Sequence, residues 1–159
     1  MKFKHVMVPY DGSDHAKSAL AYAKELAAEC PEMKISVVHA ISAGIVGADQ
    51  MGTAGALDGV PYGMMDYAQY QEIVQSAISK ATENVKKDLA GDIAGLEDRC
   101  EVVAVAGASP ADTITHYAEK NDVDLIVMGR RGLGAIRGML GSVSFGVLRS
   151  TEIPVLTVK

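Results

Sequence analysis

Cysteine is scarce in this 159-residue chain: Cys30 and Cys100 stand alone, and no His–Cys cluster has metal-ligand spacing. Two cysteines cannot close a zinc site, so both are expected as buried, reduced thiols without a structural disulfide. Long apolar runs are missing too, which excludes a membrane-spanning helix of about 20 residues. No basic-then-apolar leader follows Met1, and a cytoplasmic address is expected. Positive charge is in deficit, with 15 Lys and Arg against 20 Asp and Glu, a formal net charge of −5 and a pI near 5.3. That balance disfavours non-specific binding to nucleic acid or acidic membranes. There is also no internal repeat, no linker and no composition shift, so residues 1–159 read as a single domain.

What is present is a soluble, foldable composition, 48% hydrophobic and 22% charged. Short apolar runs alternate with helical patterns. Phe3 to Pro9 reads as a strand, and Tyr10-Asp11-Gly12-Ser13 as a turn. Ala16, Leu20, Ala23, Ala27 and Cys30 then form one face of a helix that ends at Pro31. Lys34 to Ile41 is a second strand. Residues 42–64 show no period and read as one long loop. A helix from about Asp66 to Leu89 carries a stripe of Tyr70, Ile73, Val74, Ala77, Ala81 and Val85. Glu101 to Ala106 is a third strand. Ser109-Pro110-Ala111-Asp112 starts a helix that stops near Asn121, with a capping hydroxyl, a proline at the first position and an acid near the dipole's positive end. Asp124 to Met128 is a fourth strand, Ser142 to about Ser150 a short helix, and Pro154 to Val158 the last strand. Parallel neighbours need crossovers, usually helices, so this order predicts a doubly wound α/β fold: five parallel strands with helices on both faces. Ligands of such sheets bind outside the carboxyl ends of the strands, where the winding reverses.

The loop after the fourth strand is the most informative segment. Gly129, Gly132, Gly134, Gly138 and Gly141 let its backbone approach a ligand closely. Gly141-Ser142-Val143-Ser144 opens a helix, where free amides, the dipole and two hydroxyls favour an anion. Between Asp124 and Glu152 lie Arg130, Arg131, Arg137 and Arg149 and no acid. An acidic chain has thus set a wholly positive stretch beside its glycines, which suits phosphate better than a merely solvated loop would require. No Gly-Lys-Ser/Thr follows, so this is not a P-loop. Nor is it the dinucleotide fingerprint, whose place after the first strand holds Asp11-Gly12-Ser13.

These residues resemble the universal stress protein family, whose ATP-binding members carry Gly-x2-Gly-x9-Gly-Ser/Thr after the fourth strand. Gly129, Gly132, Gly141 and Ser142 fit that pattern in type and order. The resemblance extends along nearly the whole chain, through Val8 to Ser13, His39, Gly107-Ala108-Ser109-Pro110, Asp124 to Gly129 and Pro154 to Val158. It implies a 3-2-1-4-5 sheet of the Rossmann-like, adenine nucleotide alpha hydrolase-like kind. It also implies a homodimer through the C-terminal strand, ATP with Mg²⁺ as the ligand, and a base pocket with Pro9 and Ala40 on its wall. There is one departure. Eight residues, Leu133 to Leu140, separate Gly132 from Gly141 where the pattern has nine.

Asp11 has two readings. A carboxylate beside phosphates must hold Mg²⁺ or accept from a ribose or the adenine amino group. Otherwise Asp11 or Ser13 caps the first helix. His15 lacks a third partner for a triad with Ser13, and His39 and His116 read as structural. The expectation is therefore an ATP-binding stress-response or signalling protein with no assigned catalytic residue, at most a weak ATPase, whose protein partner the sequence does not identify. Its site would comprise Pro9, Asp11, Ala40, Gly129, Gly132, Gly141, Ser142, Val143 and Ser144. The alternative, favoured by the shorter loop, is an interaction module of the same fold that binds no nucleotide and acts through its dimer surface or the 42–64 loop. An ATP-pyrophosphatase-type enzyme ranks last, because Asp11-Gly12-Ser13-Asp14 lacks paired glycines.

Overall fold

A computed structural model describes residues 3–42, 56–57, 60–61, 67–96, 98–133 and 140–159. In chain order the elements are β1 (His5–Pro9), α1 (Asp14–Glu29), β2 (Lys34–Ser42), β3 (Ala56–Leu57), β4 (Val60–Pro61), α2 (Tyr67–Asp88), β5 (Cys100–Gly107), α3 (Pro110–Lys120), β6 (Leu125–Gly129), α4 (Ser142–Ser150) and β7 (Val155–Val158). Five of the strands form one parallel sheet in the order β5-β2-β1-β6-β7. Counting only those five, this is the 3-2-1-4-5 order.

β1 lies in the middle of the sheet, and Val6, Met7 and Val8 are each 0% exposed. A strand covered on both faces reads as a continuous apolar run, as this one does. Val6 and Val8 pack with α1 and with Val85 and Leu89, while Met7 turns to the opposite layer with Ile114, Ala118 and Val147. Helices thus cover both faces. Asp124 fixes β6 beside β1: its carboxylate accepts from the backbone N–H of Lys4 at 2.8 Å and of His5 at 3.2 Å. β1 begins at His5, two residues later than the apolar run suggests.

Within the predicted 42–64 loop, β3 and β4 pair antiparallel, Ala56 with Pro61 and Leu57 with Val60. The pair was not expected from the sequence. Asp-Gly, the sequence at 58–59, is a dipeptide type that favours hairpin turns, a signal the missing periodicity obscured; residues 58–59 themselves lie outside the described residues. The rest of the expected loop lies outside the described residues. Cys30 and Cys100 are free but half-buried, not fully buried as expected. Cys30 falls on the C-cap, just past the helical face that would have covered it, and Cys100 opens an edge strand. Of the α2 stripe, Val85 is buried; Tyr70, Ile73, Val74, Ala77 and Ala81 are half-buried.

α1 has no basic residue in its last turn. Arg99 supplies one from a distance: its guanidinium donates to the carbonyls of Ala27, Cys30 and Pro31 at 3.3, 3.4 and 2.9 Å. A cation over terminal carbonyls satisfies acceptors that the helix leaves open. Arg99→Ala should therefore cost about 1–2 kcal/mol, read as a lower urea midpoint with unchanged slope.

Candidate functional site

β1 and β6 are neighbours, and the chain leaves them in opposite directions across the sheet. Outside their carboxyl ends opens a cleft of about 490 Å³, a size typical of small-molecule sites. All nine residues expected at the site line it: Pro9, Asp11, Ala40, Gly129, Gly132, Gly141, Ser142, Val143 and Ser144.

Gly12 adopts φ +82°, the left-handed turn that glycine takes at little cost. Asp11 Oδ1 accepts from Ser13 N–H at 3.0 Å, closing an Asx turn. Ser13, not Asp11, caps α1: its hydroxyl oxygen accepts from Ala16 N–H at 3.2 Å. Asp11 is exposed, and its Oδ2 faces the second glycine of the loop, where any side chain at Gly132 would run into it. Tyr10 anchors this turn. Its hydroxyl donates to Asp88 at the end of α2, and Lys17 lies 3.8 Å from the same carboxylate. Burial, then the Asp88 bond and charge, push the Tyr10 phenol above its ordinary range.

The glycine loop is closed at its neck. Gly141 N–H donates to Arg130 O at 3.0 Å, and Arg130 N–H donates to Val158 O at 2.7 Å. Leu133 and Leu140 also line the cleft; residues 134–139, with Gly134, Gly138 and Arg137, lie outside the described residues. Gly141 caps α4 with no side-chain hydrogen bond, and no acid follows in its first turn. By contrast, α1 and α3 each have a serine cap and an acid there. The N–H groups of Ser142, Val143 and Ser144 have no partner within the helix. The Ser142 side chain is exposed. Ser144 is only 3% exposed, and its hydroxyl donates to Gly129 O at 2.9 Å. Its single hydrogen is thereby spent, so Ser144 offers an anion its backbone N–H only. Arg131 lines the same end of the cleft.

A model of the universal stress protein family matches residues 2–159. The chain belongs to this family. A universal stress protein of Thermus aquaticus is 34% identical over 158 residues, spanning 99% of both chains. Protein MJ0577 of Methanocaldococcus jannaschii shares the fold, with a TM-score of 0.72 at 24% identity over 100% of this chain and 97% of that one. A universal stress protein solved in complex with cAMP aligns with a TM-score of 0.59 at 26% identity, over 100% and 99%.

In this universal stress protein the cleft also has an apolar wall of Val38, Ile114 and Met128, none of which the sequence singled out. These residues follow the core periodicity, and only the topology brings them to the opening. His39 has a clearer role than the sequence suggested. Its Nδ1 lies 2.8 Å from Tyr10 O. A carbonyl only accepts, so Nδ1 carries the hydrogen, and the imidazole pins the β1 turn to the end of β2. Among the described residues no cluster of three or more His, Cys, Asp or Glu can hold a metal ion. No helix among them is long and apolar enough to cross a membrane.

Proposed function

We propose that this universal stress protein binds ATP in the cleft at the switch point and acts as a homodimeric, nucleotide-dependent stress-response or signalling protein. The carrying observation is the first turn of α4. Its amides have neither cap nor acid, and they open beside Arg131 onto a cleft of about 490 Å³. Such a helix start favours phosphate. The apolar wall of Val38, Ile114 and Met128 suits a base, and the relative solved with cAMP supports an adenine nucleotide.

Mg²⁺ usually keeps several waters and is held by one or two carboxylates plus the substrate's phosphates. Asp11 fits that role, with Oδ2 turned toward the loop and no cluster of further metal-ligating side chains around it among the described residues. The bound ion would supply charge neutralisation between phosphates. No catalytic residue is assigned: with its Nδ1 hydrogen given to Tyr10 O, His39 keeps a basic lone pair on Nε2, but nothing among the described residues aligns that atom with a water attacking a phosphate, and Asp11 holds a turn. Hydrolysis is therefore expected to be slow.

The eight-residue spacing favours the alternative, an interaction module without nucleotide. The closed neck weakens that alternative, because Gly141 N–H meets Arg130 O despite the short loop. The shorter spacing therefore leaves the contact between Arg130 and Gly141 in place.

Calorimetric titration with Mg-ATP tests the reading, together with analysis of any small molecule released on denaturation. Asp11→Asn should keep the Asx turn and the melting temperature, because asparagine also accepts from Ser13 N–H. It should weaken Mg-ATP binding by about tenfold, the loss of one interaction with a charged group. Normal stability with normal affinity would remove Asp11 from the site.

A further inference from the structure

We infer that Ser144 is a positioning residue for the phosphate cradle: its hydroxyl ties the first turn of α4 to the end of β6 and so aims the amides of Ser142 and Val143. This rests on the nucleotide-binding reading of the cleft. It differs from a ligand role for Ser144, since the hydroxyl hydrogen is already given to Gly129 O, 2.9 Å away and 15 residues back in the chain.

The anchor is a fixed point. Gly129 pairs with Val158 of β7 on one side. The first turn of α1 closes on it from another, so that a Cβ at 129 would lie 2.8 Å from His15 Cβ, 2.9 Å from His15 C and 3.1 Å from Ala16 N. No carbon fits between them, and little movement is left to the peptide. The next carbonyl, Arg130 O, takes the N–H of Gly141 at 3.0 Å. Two successive carbonyls at the end of β6 therefore hold α4 at two places, its cap and its third residue. The amides of Ser142 and Val143 lie between these ties. A helix start can bind an anion well only if its amides are held within about 0.5 Å of the productive geometry. Gly141 has no side chain to do this, and the serine three residues on does it instead. The 3% exposure of Ser144 suits a strut, not a group that meets a ligand.

The test uses Ser144→Ala in the full chain, with Ser142→Ala for comparison and Mg-ATP and adenosine as probes. Ser144→Ala should weaken Mg-ATP by about three- to tenfold, the range of a lost hydrogen bond, and change adenosine affinity by less than about twofold. In the ligand-free protein its amide resonances of residues 142 and 143 should move and exchange faster with solvent. Ser142→Ala should weaken Mg-ATP while leaving the resonance of Val143 close to its wild-type position. Ser144→Ala with wild-type Mg-ATP affinity and unmoved amides overturns the inference. So does an equal loss of adenosine and Mg-ATP, which would mark a general structural role. A wild-type protein that binds neither probe overturns the nucleotide reading instead. The ligand-free amide resonances then decide on Ser144 alone, movement supporting the strut and none refuting it.

Discussion

Gly141→Val leaves no measurable binding of Mg-ATP in a titration calorimeter, while the sheet still melts cooperatively. A Cβ at 141 would lie 3.3 Å from Arg131 Cα, 3.5 Å from Arg130 O and 3.6 Å from Gly132 N. A single methyl is therefore tight but tolerable. Valine adds two more carbons, and the neck holds backbone on the side where they must go. Either the Gly141 N–H bond to Arg130 O breaks, or a methyl fills the space in front of the α4 amides. Both outcomes remove the anion from its donors. Gly141→Ala should show a weaker form of the same loss. The core should survive, because Gly141 lies outside the sheet and the buried residue of the next turn, Val147, is untouched. Wild-type affinity in Gly141→Val would place the ligand elsewhere in the molecule.

The glycine loop and the helix start after it were legible in the sequence, because close backbone approach and a helix start both leave local marks there. The α3 cap is another such mark: Ser109 accepts from Asp112 N–H at 3.2 Å, and Pro110 takes the first position. Element boundaries set by the chain's own neighbours were legible too, as at α2, read from about 66 to 89 and observed at Tyr67–Asp88. The strand order was not available from alternation alone and came with the family resemblance. What stayed hidden joins residues far apart. Arg99 caps a helix 72 residues earlier at Ala27, and Ser144 reaches back to Gly129. Met128 and Ile114 look like core in one dimension and line the cleft in three. A single sequence carries periodicity and turn chemistry, but a long-range hydrogen bond has no period.

The edge strand gives the second large effect. β7 pairs with β6 on one side only, and no strand among the described residues pairs with its other side. Ile126 N–H donates to Pro154 O, and Arg130 N–H donates to Val158 O. In a parallel ladder alternate residues bond to the same neighbour. Pro154, Leu156 and Val158 therefore face β6, and Val155 and Thr157 turn their N–H and C=O groups to the open edge. Leu156 is 40% exposed. An uncharged edge with an exposed apolar side chain invites pairing with a second copy about a two-fold axis. Val155→Pro should thus remove a donor from the dimer ladder without touching the bonds to β6. Symmetry doubles each loss, so the dimer should weaken by about a hundredfold or more. Leu156→Lys should act in the same direction by setting two charges against each other at the axis. Val158→Lys is a poor choice, because Val158 is only 6% exposed and packs in the core beside Leu125 and Val127. Light scattering at micromolar concentration should give twice the chain mass for the wild type and the single mass for both variants. Their melting should remain cooperative. A wild-type protein that is already monomeric at that concentration would refute edge pairing whatever the variants do, and would leave the open side of β7 to another segment of the same chain.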